Sequence, residues 1–188
     1  MKVLVACEFS GIVREAFRKR GHDAWSCDLL PTEIPSRFHY QEDIRNHLDE
    51  YYDLVIFHPI CTRLANSGVR WLKERNLWGN LHNGAEFFNL RHKFNSPRVG
   101  TENPIPHKYA INLIGKYSQI IQPWQFGHPE TKAICLWLEN LPPLIPTNIV
   151  SGREGRIWKE SPGPDRWKRR SRFYPGIADA MAEQWGGL

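Results

Sequence analysis

Short apolar runs alternate with helix-length amphipathic segments along most of this chain, and that alternation restricts its fold more than any other feature. Residues 2–7 form an apolar run that leads to Phe9-Ser10-Gly11. Ile12, Val13, Ala16 and Phe17 then share one helical face, with Gly21 as a natural stop. A second short strand is expected over 23–27, ending at Asp28. Residues 53–57 read Asp-Leu-Val-Ile-Phe, an apolar run of the kind buried on both faces of a parallel sheet. Further strands are predicted over 98–102 and 132–138, and helices over 44–52, 85–94, 108–119 and 176–185. Strands alternating with helices imply an α/β fold: a Rossmann-like, doubly wound, mostly parallel sheet. Such sheets bind ligands beyond the carboxyl ends of their strands. Phe9-Ser10-Gly11, Asp28, His58 to Cys61 and Glu102-Asn103-Pro104 all fall there, so one composite site is expected.

Two stretches interrupt the pattern. Residues 62–82, rich in Arg, Asn and Trp, read as a mobile loop over the site. Residues 139–170 carry Pro142, Pro143, Pro146, Gly152, Gly155, Pro162, Gly163 and Pro164, and read as a long loop ordered in part by a ligand. No repeat or second domain is visible, so a single domain over 1–188 is expected. A chain of 188 residues, 41% hydrophobic and 24% charged, has the material for its own core. No apolar run approaches the roughly 18 residues of a membrane span. Glu8 comes too early for a signal peptide. A soluble cytoplasmic protein with no membrane partner is expected.

The chemistry-bearing residues lie at the strand ends. Gly11 lets the backbone approach a ligand, beside a helix N-terminus that offers unpaired N–H groups. Asp28 is placed to accept from ribose hydroxyls. Asp43 suits either an adenine amino group or the cap of the following helix. The absence of GxGxxG argues against a dinucleotide. Of the four cysteines, Cys7, Cys27 and Cys135 lie in strand-like stretches and read as core thiols. Cys61 instead follows a buried strand, where a thiol serves either packing or nucleophilic attack, and Arg63 is a cation suited to lowering its pKa. Glu102 suits a protonated acid that donates to a ring nitrogen, a metal ligand or a helix cap. Attack of a thiolate on C6 of a pyrimidine builds charge on the ring, and an acid at N3 would stabilise it. Cys61 and Glu102 therefore make sense as a pair.

The charge excess of +5 is uneven. Arg153, Arg156, Lys159, Arg166, Lys168, Arg169, Arg170 and Arg172 crowd the last third, interleaved with Trp158, Trp167 and Phe173. That stretch suits a phosphate backbone and unstacked bases, or else forms a solvated tail. His22, His58, His107 and His128 match no zinc spacing, so no metal site is expected. Trp71, Trp78, Trp124 and Trp137 read as core or loop anchors.

Taken in order, these motifs resemble the cytosine-5 DNA methyltransferase family. Its Phe-Ser-Gly motif matches Phe9-Ser10-Gly11, its acid after the second strand Asp28, and its Gly-Asp-Ile motif Glu42-Asp43-Ile44. Its Pro-Pro-Cys nucleophile motif is similar to Pro59-Ile60-Cys61, and its Glu-Asn-Val motif to Glu102-Asn103-Pro104. An Arg-bearing motif is similar to the stretch at Lys132. A Gly-Asn-Ala/Ser-Val motif resembles Gly176-Ile177-Ala178-Asp179. The stretches Ala6-Cys7-Glu8-Phe9-Ser10-Gly11 and 122–129 also resemble a phage-associated group of short methyltransferase-like proteins.

The resemblance implies S-adenosylmethionine as cofactor, held by Phe9, Ser10, Gly11, Asp28, Asp43, Pro59, Gly176 and Ala178. It implies Cys61, Glu102 and Lys132 as catalytic residues, and the basic residues Arg63, Arg166, Lys168, Arg169, Arg170 and Arg172 are expected to contact DNA. The expected activity is methyl transfer to C5 of cytosine in DNA through a Cys61 adduct. Ile60, Pro104 and Lys132 depart from the family pattern, and Lys lacks the planar fork of Arg. About 35 residues separate the Lys132 strand from the last helix, too few for a base-reading domain, so specificity is expected to be low or supplied by an accessory partner protein. The alternatives are a C5-modifying enzyme acting on a free pyrimidine nucleotide, and a non-catalytic nucleic-acid-binding homologue.

Overall fold

The computed structural model describes residues 1–188 apart from the side chain of Trp158. The first apolar run forms β1 (Lys2–Ala6), followed by α1 (Ile12–Lys19), β2 (Asp23–Cys27), β3 (His39–Tyr40) and β4 (Leu54–Phe57). Next come α2 (Arg70–Glu74), α3 (Trp78–Phe88), β5 (Val99–Pro104), α4 (Lys108–Ile114), β6 (Gln119–Ile121) and β7 (Ile134–Glu139). The chain closes with α5 (Arg156–Lys159), α6 (Arg166–Ser171) and α7 (Pro175–Trp185). The sheet has seven strands in the order β3-β2-β1-β4-β5-β7-β6. Parallel pairing runs from β3 to β5, and β7 is antiparallel to both its neighbours. The expected α/β, mostly parallel architecture is therefore present.

Period-2 alternation sends successive strand residues to opposite faces. Val3, Val5, Leu54 and Ile56 pack under α1 and α7, with Phe17, Ile177 and Trp185. Leu4, Ala6, Val55 and Phe57 pack on the other face against Tyr52, Leu90 and Phe94. All four residues of β4 are buried, as expected of a strand covered on both faces. Full burial of one such side chain, Phe17 for example, stabilises by about 1.5–3 kcal/mol.

Register sets the site. Ala6 pairs with Phe57, and Phe57 with Thr101. The next residues, Cys7, His58 and Glu102, therefore stand side by side along the carboxyl edge. Because β7 runs antiparallel, its beginning lies at that same edge, which brings Lys132 there.

Several expectations need correction. The loop predicted over 62–82 contains α2 and the start of α3, because Leu64, Leu72 and Leu81 bury against Phe88 and Trp137. The predicted helix over 44–52 is a short 3-10 turn, Ile44–His47. The helix predicted over 85–94 begins earlier, at Trp78, and continues as a 3-10 turn over Asn89–His92. The helix predicted over 108–119 stops at Gly115, freeing β6, whose three residues were too few to show a period. β3, with two residues, was missed for the same reason. The long loop at 139–170 carries α5 and most of α6, anchored by ion pairs between residues far apart in sequence.

Candidate active site

The loop that carries Cys61 begins where β4 ends. His58 N donates to Ala6 O at 2.9 Å, holding the loop to β1. Asn103 Nδ2 donates to Pro59 O at 2.8 Å, so β5 pins the turn at Pro59. Leu64 N and Ala65 N both donate to Cys61 O at 2.9 Å, closing a helical turn behind the thiol. Ile60 is 66% exposed, whereas Cys61 is half-buried. Where the resembled family has a second proline, a buried side-chain hydrogen bond from Asn103 steadies the neighbouring carbonyl.

Glu102 points into the same edge. Its Oε2 lies 3.2 Å from His58 Nδ1, with both side chains nearly buried. Burial pushes the Glu102 carboxyl up, but the His58 hydrogen bond and the Lys132 charge outweigh it and leave it below its ordinary value. These influences together favour the ionised carboxylate over the protonated acid. Burial, and then the Glu102 charge, push the Cys61 thiol up, and Lys132 and Arg170 only partly offset them. The cations that lower its pKa most are Lys132 and Arg170, not the neighbouring Arg63. Lys132 Nζ donates to Arg170 O at 3.3 Å and sits 5.7 Å from the Tyr174 ring centroid. The Phe173 ring packs on His58 at 4.9 Å. Among the described residues, His58 Nε2, Asn103 Oδ1 and Arg170 Nε are buried without a hydrogen-bond partner, and each is a polar atom capable of taking a ligand.

The edge at β1 and β2 is also built, though differently from expectation. Gly11 adopts φ +75°, a left-handed conformation that favours glycine, and a Cβ there would lie 2.6 Å from Arg14 Nη2, so the guanidinium would have to shift. The N-terminus of α1 does not offer unpaired donors. Glu8 Oε1 accepts from Val13 N at 2.7 Å, and Glu8 Oε2 accepts from Arg14 N at 3.2 Å. Ser10 is buried and donates to Glu8 Oε1 at 3.0 Å. Asp28 accepts from Leu30 N at 2.9 Å, no side chain among the described residues donates to it, and burial raises its pKa. Those properties fit a carboxylate awaiting a hydroxyl donor. Asp43 takes the capping alternative, accepting from Arg45 N at 2.9 Å. Phe9 is buried, with the Trp167 ring 6.2 Å away. Gly176 approaches Phe126 O so closely that a Cβ would lie 1.9 Å from it, and its N–H donates to His128 Nε2. Ala178, on the inner face of α7, is fully buried in the core. A cleft of about 320 Å³ opens between Ile12 and Phe173-Tyr174-Pro175, bordered by Arg169 and Arg172.

The basic stretch folds back on the protein. Arg172 makes two 2.8 Å bonds to the Glu33 carboxylate, and Lys168 lies 3.6 Å from it. Arg169 bonds to Glu160 and Arg156 to Glu130. Arg166 Nε donates to Glu160 O. Trp158, counted in this stretch from sequence, has its side chain outside the described residues. The structure thus gathers Cys61, Glu102, Lys132 and Arg170 at one place, and sets Phe9, Gly11 and Asp28 along the adjoining edge. His58 was missed as a partner of Glu102. Its position directly after a buried strand was the available signal, but the register that pairs it was not readable.

No protein-family model matches the chain, and no curated protein matches it. Among solved structures it is similar to an Escherichia coli prophage protein provisionally assigned as a DNA modification methyltransferase, with TM-score 0.53 and 16% identity over 85% of this chain and 55% of that one. It also matches the Entamoeba histolytica methyltransferase EhMeth (TM-score 0.43, 14% identity, 86% of this chain and 59% of that one). A third match is an rRNA methylase from Escherichia coli (0.41, 16%, 73% and 56%). The chain spans under two thirds of the length of each. At this identity, the likeness to the prophage protein shows the fold alone: the two share an α/β architecture.

Proposed function

We propose that this protein transfers a methyl group from S-adenosylmethionine to C5 of cytosine in DNA, using Cys61 as the nucleophile. The observation that carries this reading is the convergence of Cys61, Glu102 and Lys132 at the carboxyl edge of β4, β5 and β7. The likeness to a prophage DNA modification methyltransferase supports the nucleic-acid substrate. Asp28 would hold the cofactor ribose, and the backbone at Gly11 would lie against the cofactor. When bound, S-adenosylmethionine supplies an electrophilic methyl group.

The resting protonation states suit a reaction that starts only when the base docks. The thiol keeps its proton and Glu102 is ionised. The Cys61 proton passes to Glu102, the thiolate sulfur bonds to C6, and the carboxyl group returns the proton to N3. C5 is thereby made nucleophilic and would take the methyl group from the sulfonium sulfur of the cofactor, which would leave as the neutral thioether S-adenosylhomocysteine. Loss of the C5 proton to solvent, with cleavage of the sulfur–C6 bond and return of the N3 proton through Glu102 to the departing Cys61 thiolate, restores the ring, the thiol and the ionised carboxylate. Lys132 balances the charge that develops beside Glu102. His58 holds the Glu102 carboxylate in place, and Asn103 holds the loop that presents the thiol.

Mass spectrometry of nucleosides from DNA incubated with protein and cofactor tests the reading. The expected product is 5-methylcytosine. Cys61→Ala should lower the yield by at least about a thousandfold while cofactor binding persists. Transfer at the wild-type rate by Cys61→Ala would overturn the mechanism.

A further inference from the structure

We propose, resting on the reading above, that the outer face of α2, α3 and the start of α4 is a docking surface for single-stranded DNA. Arg70 and Arg75 lie 4.3 and 4.0 Å from the Trp71 ring centroid. Both are exposed, and neither meets a carboxylate among the described residues. Trp78, 37% exposed, meets Tyr109, 39% exposed, edge-on at 5.1 Å. Lys108 Nζ sits 5.0 Å from the Tyr109 ring and likewise has no carboxylate partner among the described residues. Glu74 is the single acidic residue between 60 and 82.

This face is continuous with the nucleophile loop. Leu64 N and Ala65 N donate to Cys61 O, Asn66 N donates to Ile105 O, and His107 N donates to Leu64 O. A strand lying on the face therefore leads to the thiol. Cations held against rings instead of carboxylates keep their charge for phosphates. Half-exposed aromatic rings offer stacking surfaces to bases that are already unpaired. A duplex would engage the cations but leave the rings without partners, which is why a single strand fits better. Such a strand also presents its cytosines without the flipping that a duplex requires.

Fluorescence anisotropy with a labelled single-stranded DNA oligonucleotide, titrated at several salt concentrations without cofactor, tests the surface on the full chain. The triple variant Arg70→Ala, Arg75→Ala, Lys108→Ala should weaken binding at least about tenfold and flatten the log–log salt slope by about two, from roughly 0.7 per lost phosphate contact. Trp78→Ala should weaken binding about tenfold with the slope unchanged. Arg156→Ala removes a cation already bound to Glu130, and should stay within about twofold of wild type. If the alanine set does not fold, the corresponding glutamine set carries the same expectation. Wild-type affinity and slope in the folded triple variant would overturn the proposal, as would tighter binding of labelled duplex or RNA than of single-stranded DNA. Binding is read here without turnover, so a failure of the cytosine chemistry leaves this result standing. The reverse also holds: weakened binding on this face leaves the Cys61 test readable at saturating DNA concentration.

Discussion

Residues 153–172 and residues 63–75 are both rich in arginine and tryptophan, yet the fold uses them in opposite ways. In the first, Arg156, Arg169 and Arg172 turn inward onto Glu130, Glu160 and Glu33. Trp167 lies over Phe9, and Arg170 reaches the neighbourhood of Cys61. In the second, Arg70 and Arg75 flank Trp71, are exposed, and form no ion pair with a carboxylate among the described residues. A run of positive charge in sequence therefore says little about where a polyanion binds. What matters is whether the fold supplies a counter-charge, since a guanidinium in a two-point carboxylate pair is already committed.

The contrast can be broken at Arg170 first. If the inward segment serves catalysis instead of gripping DNA, Arg170→Ala should lower kcat about tenfold, because one cation opposing the burial of the Cys61 thiol is lost. The rising limb of kcat against pH should move to higher pH while DNA affinity holds. A fall in affinity at unchanged kcat would show that the inward segment grips DNA after all.

A smaller effect is expected at the clasp. Glu33→Gln leaves Arg172 and Lys168 without their counter-charge. Arg172 is half-exposed and the pair is screened, so the loss should be about 1 kcal/mol or less, a drop of about 2–4 °C in Tm by calorimetry. The cofactor should also bind more weakly, because Trp167 is then less firmly held over Phe9. An unchanged Tm together with unchanged cofactor affinity would remove the clasp from the account.

Mild acid should give the smallest and most local change. Arg172 holds Glu33 below its ordinary range, and Arg169 does the same for Glu160. Burial pushes Glu130 up, but Arg156 and Tyr174 bring it lower. Each folded value lies below the unfolded one, so the stabilisation is complete above about pH 4.5 and is lost as pH falls through the folded values. Pepsin cleavage within 153–172 should rise over that range, whereas 63–75, held by apolar burial, should stay protected. Equal cleavage of both regions would erase the distinction.

The strand-end placement of Cys61 and Glu102 was largely legible in the sequence. Buried strands announce themselves by short apolar runs, and residues just beyond them gather along the carboxyl edge of a parallel sheet, so the positions of both could be read without coordinates. The helices within 62–82 were not, because α2 is one short turn with a single buried leucine and shows no period by itself. Its helicity depends on Leu72 meeting Leu64, Leu81 and Phe88, which are distant contacts.

By itself, the sequence determined the alternation of strands and helices, the two-faced burial of β4 and the identity of the thiol and acid at the strand ends. These are local patterns with periods of two or 3.6 residues. Tertiary structure alone decided that His58 stands against Glu102, that Glu8 fills the start of α1, and that Glu33 captures an arginine 139 positions away. Strand register, chain reversal and charge pairing are properties of packed elements, and no local pattern encodes which distant partner each residue will meet.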